Sequence, residues 1–215
     1  ASGMEVAVLV SGRGSNLMAI CDAIDAGTCD ARIVAVISDR KKAAALEYAE
    51  KRGIATRVVP LRKGDDRDLW NETLAAEVAS FTPQLVVLAG FMRVLGPPLL
   101  EAFPGRLINV HPALLPSFPG HAGAQDAIDG GVRLSGCTVH VVDSGVDTGP
   151  IIAQAAVPVL PDDTADSLHA RIQVQEHRLL PRVIHQIARG AITLDPLKVT
   201  TAPGDPDRAL VAPDI

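Results

Sequence analysis

Aromatic residues are scarce: Phe, Trp and Tyr make up only 3% of the 215 residues. A platform that stacks single-stranded bases on successive rings has little to be built from. Basic charge is not in excess either. Twenty Lys and Arg stand against 25 Asp and Glu, a net charge of −5, which argues against a nucleic-acid binder held by phosphate neutralisation. No apolar run approaches the roughly 20 residues of a membrane-spanning helix. No basic region followed by an apolar segment opens the chain. Ala1-Ser2-Gly3 ahead of Met4 reads as a leftover of expression cloning. The three cysteines, Cys21, Cys29 and Cys137, are odd in number and lack any CxxC or metal spacing. They read as small buried or half-buried thiols in a reducing cytosol. A soluble, cytoplasmic protein without nucleic-acid or membrane partners is expected.

Apolar residues are plentiful, at 47% against 21% charged, the balance of a globular protein and not of a disordered chain. The length allows one large domain or two small ones. With so few rings, the core must come from Ala, Val, Leu and Ile.

Short apolar runs at Glu5–Val10, Arg32–Ser38, Thr56–Val59, Gln84–Ala89 and Leu107–Val110 read as strands. Helical spacing follows the first (Leu17, Ile20, Ile24, stopping at Gly27), then returns over Lys41–Arg52 and Asp66–Ser80. In the last of these Leu69, Thr73, Leu74 and Val78 mark one side. Strands alternating with helices predict βαβ units and a parallel sheet, and near-continuous apolar strands predict cover on both faces. After Gly131 the pattern changes. Leu134–Val142 and Ile151–Val159 are β-rich runs that can pair antiparallel at one end of the sheet. A long helix over about 164–189 follows, capped by Asp163 or Thr164. Its buried stripe is Leu168, Ile172, Leu179, Val183 and Ile187, and Pro181 should kink it. Beyond Leu197 a Pro- and Asp-rich tail reads as loose.

Gly12-Arg13-Gly14-Ser15-Asn16 joins the first strand to the first helix. Glycines permit a tight turn and close ligand approach, and free N–H groups at a helix start favour phosphate. A dinucleotide fingerprint would need glycine at Leu17, and no Lys-Ser/Thr follows, so a single phosphate fits better than NAD or ATP. A structural strand-to-helix turn with a Ser/Asn cap explains the same residues. Ile108-Asn109-Val110-His111-Pro112 closes a strand, and alternation puts Asn109 and His111 on one face. An amide and an imidazole beyond the carboxyl end of a parallel strand suit chemistry that develops charge on oxygen. A strand end with no catalytic role accounts for them equally. The loop Asp143-Ser144-Gly145-Val146-Asp147-Thr148-Gly149-Pro150 carries two carboxylates. One of them beside His111 would favour the imidazolium. The spacing of His169, His177 and His185 offers no zinc site, and these three, with His121 and His140, read as structural or surface residues.

Taken together these segments resemble the folate-dependent glycinamide ribonucleotide formyltransferase family. The resemblance runs over roughly residues 5–190 and is carried by Ser11–Leu17, Leu88-Ala89-Gly90-Phe91-Met92-Arg93-Val94-Leu95, Ile108–Pro116, Asp147-Thr148-Gly149-Pro150-Ile151-Ile152 and Gln173-Val174-Gln175-Glu176-His177. It implies an α/β fold: a seven-stranded, mostly parallel sheet with helices on both faces and a Rossmann-like N-terminal half. It implies one formyltransferase domain over 4–200, with a nucleotide-binding half at 4–110 and a folate and catalytic half at 111–200, leaving 201–215 as the loose tail. The implied reaction moves the formyl group of 10-formyltetrahydrofolate to the amine of glycinamide ribonucleotide, without a metal.

The resemblance also implies roles. Asn109, His111 and Asp147 match the catalytic set. Gly14, Ser15, Asn16, Leu17 and Met18 match the ribonucleotide-holding segment, completed by Gln173, Val174, Gln175 and Glu176. Met92, Arg93, Val94 and Leu95 match the folate pocket, with Asn109, the loop Asp143, Ser144, Gly145, Val146 and Asp147, and Arg67. Arg93 can act through its charge or only through its backbone. The segment His121-Ala122-Gly123-Ala124 departs from the bacterial pattern, and Thr148 replaces a glycine after Asp147. Two relatives share the Asn/His/Asp set. A formyltetrahydrofolate deformylase would carry a further N-terminal domain, and a methionyl-tRNA formyltransferase a basic C-terminal one. The length favours the stand-alone enzyme. A non-catalytic nucleotide-binding module would not need the set at all. The resemblance leaves a homodimer open.

Overall fold

The computed structural model describes residues 3–215. Its first strand, β1 (Met4–Val10), shows why the central strands are near-continuous apolar runs. Val6, Val8 and Val10 enter one core, while Ala7 and Leu9 enter another on the opposite face. A turn leads to α1 (Ser15–Asp25), and β2 (Ala31–Ser38), α2 (Ala44–Lys51), β3 (Thr56–Val58), α3 (Arg67–Ala79) and β4 (Leu85–Leu88) continue the βα alternation. Next come α4 (Pro97–Ala102), β5 (Leu107–His111), α5 (Gly123–Gly130), β6 (Leu134–Val141), β7 (Ile151–Pro158) and α6 (Ala165–Ala188). The sheet has seven strands in the order β3-β2-β1-β4-β5-β6-β7. The β3, β2, β1, β4 and β5 neighbours pair parallel, and β5–β6 and β6–β7 pair antiparallel, as the two late β-rich runs predict.

Helices α1, α2, α5 and α6 contribute buried residues to the core on one face, and α3 and α4 to the core on the other. Thr164 caps α6, its side chain accepting the Ser167 N–H in a reciprocal capping box. The helix is not divided at Pro181. Its buried stripe includes Leu180 and Ile184, while Leu179 and Ile187 are only partly buried. In α3 the expected stripe holds at Leu74 and Val78 but not at Leu69 or Thr73. Trp70, Leu74 and Val78, four residues apart, are buried, and Leu69 is left 59% exposed. A helix turns about 100° per residue, so Leu69 and Trp70 cannot share one face. All three cysteines are free and buried.

The chain after α6 is not uniformly loose. The short strands β8 (Thr193–Leu194) and β9 (Val199–Thr200) pair antiparallel. Residues 201–215 hold no helix or strand, and nearly all are exposed. Among the described residues no helix is long and apolar enough to cross a membrane.

Candidate active site

A cavity of about 680 Å³ opens where β1, β4 and β5 end. Carboxyl ends of parallel strands are where open α/β sheets bind ligands, and this volume suits a small-molecule site. Three stretches line it: 12–16 after β1, 88–95 at and after the end of β4, and 109–112 at the end of β5.

The first stretch is the glycine turn. Gly14 caps α1 in the left-handed conformation (φ 74°), and a Cβ there would come within 2.6 Å of the Ala45 Cβ. Only glycine fits. No acidic residue occupies the first turn of α1, so the positive end of that helix is not neutralised from within. The Asn16 side-chain oxygen is buried without a hydrogen-bond partner. Leu17 leaves the cavity for the core, and Met18 is exposed outside the cavity lining.

The second constellation comes from β5 and β6. Their antiparallel register sets Asn109 opposite His140, and His111 opposite Thr138. All four side chains therefore share a face. His111 is buried, with its Nε2 2.8 Å from the Phe118 carbonyl and its Nδ1 3.5 Å from Asp147 Oδ2. Asp147 lies in the left-handed region (φ 55°) and accepts the Gly120 N–H at 2.8 Å. Its other oxygen is 3.7 Å from His140 Nε2. The loop closes tightly behind it, because a Cβ on Gly149 would overlap the Val141 carbonyl oxygen. Thr148 bonds Asp143 at 2.6 Å and stiffens the turn.

His140 is a residue that the sequence reading missed. It is buried and its Nδ1 is 3.1 Å from the Val141 carbonyl, which only accepts, so the proton sits on Nδ1. Its Nε2 has no hydrogen-bond partner. Burial pushes the imidazole pKa down, opposed by the Val141 carbonyl and by Asp147. A neutral ring directs a lone pair at the Asp147 side of the cavity. The signal was its alternation with Thr138 on β6, legible only once the pairing with Asn109 is known.

On α6, Gln173 and Glu176 line the cavity, together with His169 one turn earlier. Glu176 is only 6% exposed, and burial raises its carboxyl pKa to about 7. Val174 and Gln175 lie outside the lining, Val174 on the exposed side of the helix. Arg13, Gly120 and His121 also line the cavity.

The third stretch, residues 88–95, forms the far wall. Met92 and Val94 are 65% and 61% exposed, while Leu95 is buried. The Arg93 guanidinium donates to Asp39 (2.8 Å) and to the Leu61 carbonyl (3.1 Å). Arg67 is not in the cavity. It donates to the Val94 carbonyl at 2.8 Å from behind and lies over the Trp70 ring. From the loop after β6, Asp143, Gly145, Val146 and Asp147 face the cavity, and Ser144 does not.

Chemically the cavity offers an anion-binding helix start at one end, an amide, two imidazoles and a carboxylate at the centre, and apolar side chains with backbone groups at the other. Such a cavity suits a phosphorylated small molecule next to a flatter, less polar one. Residues 4–184 match the family described as "Formyl transferase", and the chain belongs to that family. It is 48% identical over 187 residues to the phosphoribosylglycinamide formyltransferase of Mycobacterium tuberculosis (strain H37Rv), covering 87% of this chain and 86% of that one. The crystal structure of glycinamide ribonucleotide transformylase 1 from Symbiobacterium toebii matches with a TM-score of 0.88 and 41% identity, over 94% of this chain and 95% of that one. A formyltetrahydrofolate deformylase from Pseudomonas syringae pv. tomato matches with a TM-score of 0.85 at 26% identity, over 94% of this chain and 66% of that one.

Proposed function

We propose that this formyltransferase moves the formyl group of 10-formyltetrahydrofolate to the primary amine of glycinamide ribonucleotide, and that Asn109, His111 and Asp147 carry the chemistry. The observation behind the residue roles is their convergence in one cavity with the glycine turn at one end and the 88–95 wall at the other. Residues 4–200 act as one domain in this reading. The phosphate sits against the turn at 12–16, and the ribose reaches Gln173 and Glu176. The folate lies along residues 92–95 and the 143–147 loop.

The amine nitrogen attacks the formyl carbon, and the carbonyl electron pair moves to oxygen. The Asn109 amide and a protonated His111 donate to that oxygen. As the intermediate collapses, the bond to the folate nitrogen breaks, and the proton lost by the amine ends on that nitrogen. Asp147 orients the imidazole and moves the proton, through water. No step calls for a metal.

The test follows folate deformylation spectroscopically with and without glycinamide ribonucleotide. Turnover that requires the ribonucleotide supports the transferase. His111→Ala should lose about 100- to 1000-fold in turnover, the usual cost of one oxyanion donor, and full activity in that variant would remove His111 from the mechanism. The likeness to the Pseudomonas syringae deformylase supplies a second reading. Release of formate in the absence of the ribonucleotide would favour it.

A further inference from the structure

We infer that Asp39, which lies outside the cavity, is a positioning residue for folate, acting through a buried anchor beneath residues 92–95. This rests on the assignment of that wall to folate. Asp39 follows β2, and its carboxylate is fully buried. It is not among the cavity residues. One oxygen accepts the Ser11 hydroxyl at 2.6 Å, and that hydroxyl in turn accepts the Met92 N–H at 2.9 Å. The other oxygen accepts Arg93 Nε at 2.8 Å, while the same guanidinium donates to the Leu61 carbonyl at 3.1 Å.

The ends of β1 and β2 thus hold two consecutive residues of the wall, one by its backbone and one by its side chain. A buried carboxylate needs such partners, since an unpaired charge there is strongly unfavourable. The geometry also resolves what Arg93 can do. Its charge is already committed to Asp39, so the ligand meets backbone groups of this stretch and the apolar faces of Met92 and Val94. Backbone hydrogen bonds discriminate only when held in place, and a displacement of about 1 Å costs up to about 100-fold. Loss of activity in Arg93→Ala would therefore not show that the guanidinium touches folate. Asp39 separates the two cases, because it cannot reach the ligand.

The experiment titrates tetrahydrofolate by calorimetry into the wild type, Asp39→Ala, Asp39→Asn and Arg93→Met, and measures KM for both substrates and kcat. Asp39→Ala should weaken tetrahydrofolate binding by about tenfold or more, the equivalent of one hydrogen bond. KM for the ribonucleotide should stay within about twofold. Asp39→Asn keeps an acceptor for Ser11 and should recover part of the affinity. If Asp39→Ala does not fold, Asp39→Asn and Arg93→Met give the same reading, with folate affinity falling and ribonucleotide KM held. Unchanged folate affinity in the folded variants, or equal losses for both ligands, overturns the anchor. Wild-type protein that binds tetrahydrofolate without formylating the ribonucleotide overturns the proposed function and leaves the anchor standing. Wild-type protein that binds no tetrahydrofolate overturns both.

Discussion

Replacing Glu176 by glutamine should stabilise the ligand-free protein at pH 8 and leave it unchanged at pH 4. The carboxyl of Glu176 has an ordinary value of 4.5, raised to about 7 by burial, and no charge or hydrogen bond offsets that effect. The folded state therefore holds the proton more tightly than the unfolded state does. Below pH 4.5 the carboxyl is protonated in both states and contributes no difference. Between 4.5 and about 7 the unfolded chain releases the proton and the folded one keeps it, so stability falls as pH rises. Above about 7 both states are ionised, and the full desolvation cost falls on the native state. A change from 4.5 to about 7 amounts to about 3 kcal/mol between the two protonation states.

Glutamine has the shape of the neutral acid and no charge to release, so it escapes that cost. For a chain of this size about 3 kcal/mol corresponds to roughly 6–12 °C in Tm. Thermal melts of the ligand-free wild type and Glu176→Gln at pH 4, 6 and 8 check the argument. The curves should coincide at pH 4 and separate progressively above it. In the proposed function the same substitution weakens ribonucleotide binding, an exchange of stability for function at a ligand site. A variant that gains nothing at pH 8, or gains as much at pH 4 as at pH 8, would refute the reasoning.

Three further outcomes follow from particular contacts. Asp147→Asn keeps an acceptor for the Gly120 N–H but removes the carboxylate that faces His111 Nδ1 at 3.5 Å. Its turnover should drop by about 100-fold or more if Asp147 moves the proton, and steady-state rates read that directly. Gly14→Ala should cost about 1–2 kcal/mol from the left-handed conformation alone, and more from the contact with Ala45, as measured by chemical denaturation. Asp163 is held below the ordinary carboxylate range first by its hydrogen bonds to Arg171. Its contribution is present above pH 3.8 and is lost as the pH falls through the lowered folded value. The Tm deficit of Asp163→Asn should therefore be full at pH 7 and shrink below pH 3.8.

The central strands were legible because burial on both faces makes them continuous apolar runs, and Glu5–Val10 differs from β1 by a single residue. The pairing of Asn109 with His111 was legible because alternation is local. His140 was not, since its place beside them depends on the β5–β6 register, which no local pattern supplies. Helices α4 and α5 escaped notice because they are short and rich in Pro or Gly. The segments taken whole from the family resemblance were too coarse. Within 14–18, helical rotation sends Leu17 to the core and Met18 outward, and within 173–176 it sends Val174 to solvent. The same rotation places His169, four residues before Gln173 and seven before Glu176, on the cavity side. That spacing was readable from the sequence.

In the proposed reaction the resting partners of His111 explain how its hydrogen bond can favour the transition state. Its Nε2 donates to the neutral Phe118 carbonyl, and its Nδ1 faces the Asp147 carboxylate. Both neighbours are acceptors, so only a ring with two N–H groups satisfies them together. In the ground state the formyl oxygen is a neutral acceptor, no better than the Phe118 carbonyl, and the ring gains nothing by changing partner. Once the amine has attacked, that oxygen is an anion, and a charge-assisted hydrogen bond is about twice as strong as a neutral one. The N–H then transfers from Phe118 to the oxyanion with a net gain that exists only after attack. Interactions that strengthen in this order accelerate the reaction, whereas those present throughout only tighten binding. The 118–120 segment thus holds His111 through the Phe118 carbonyl until the oxyanion takes over its N–H, and it holds Asp147 through the Gly120 N–H.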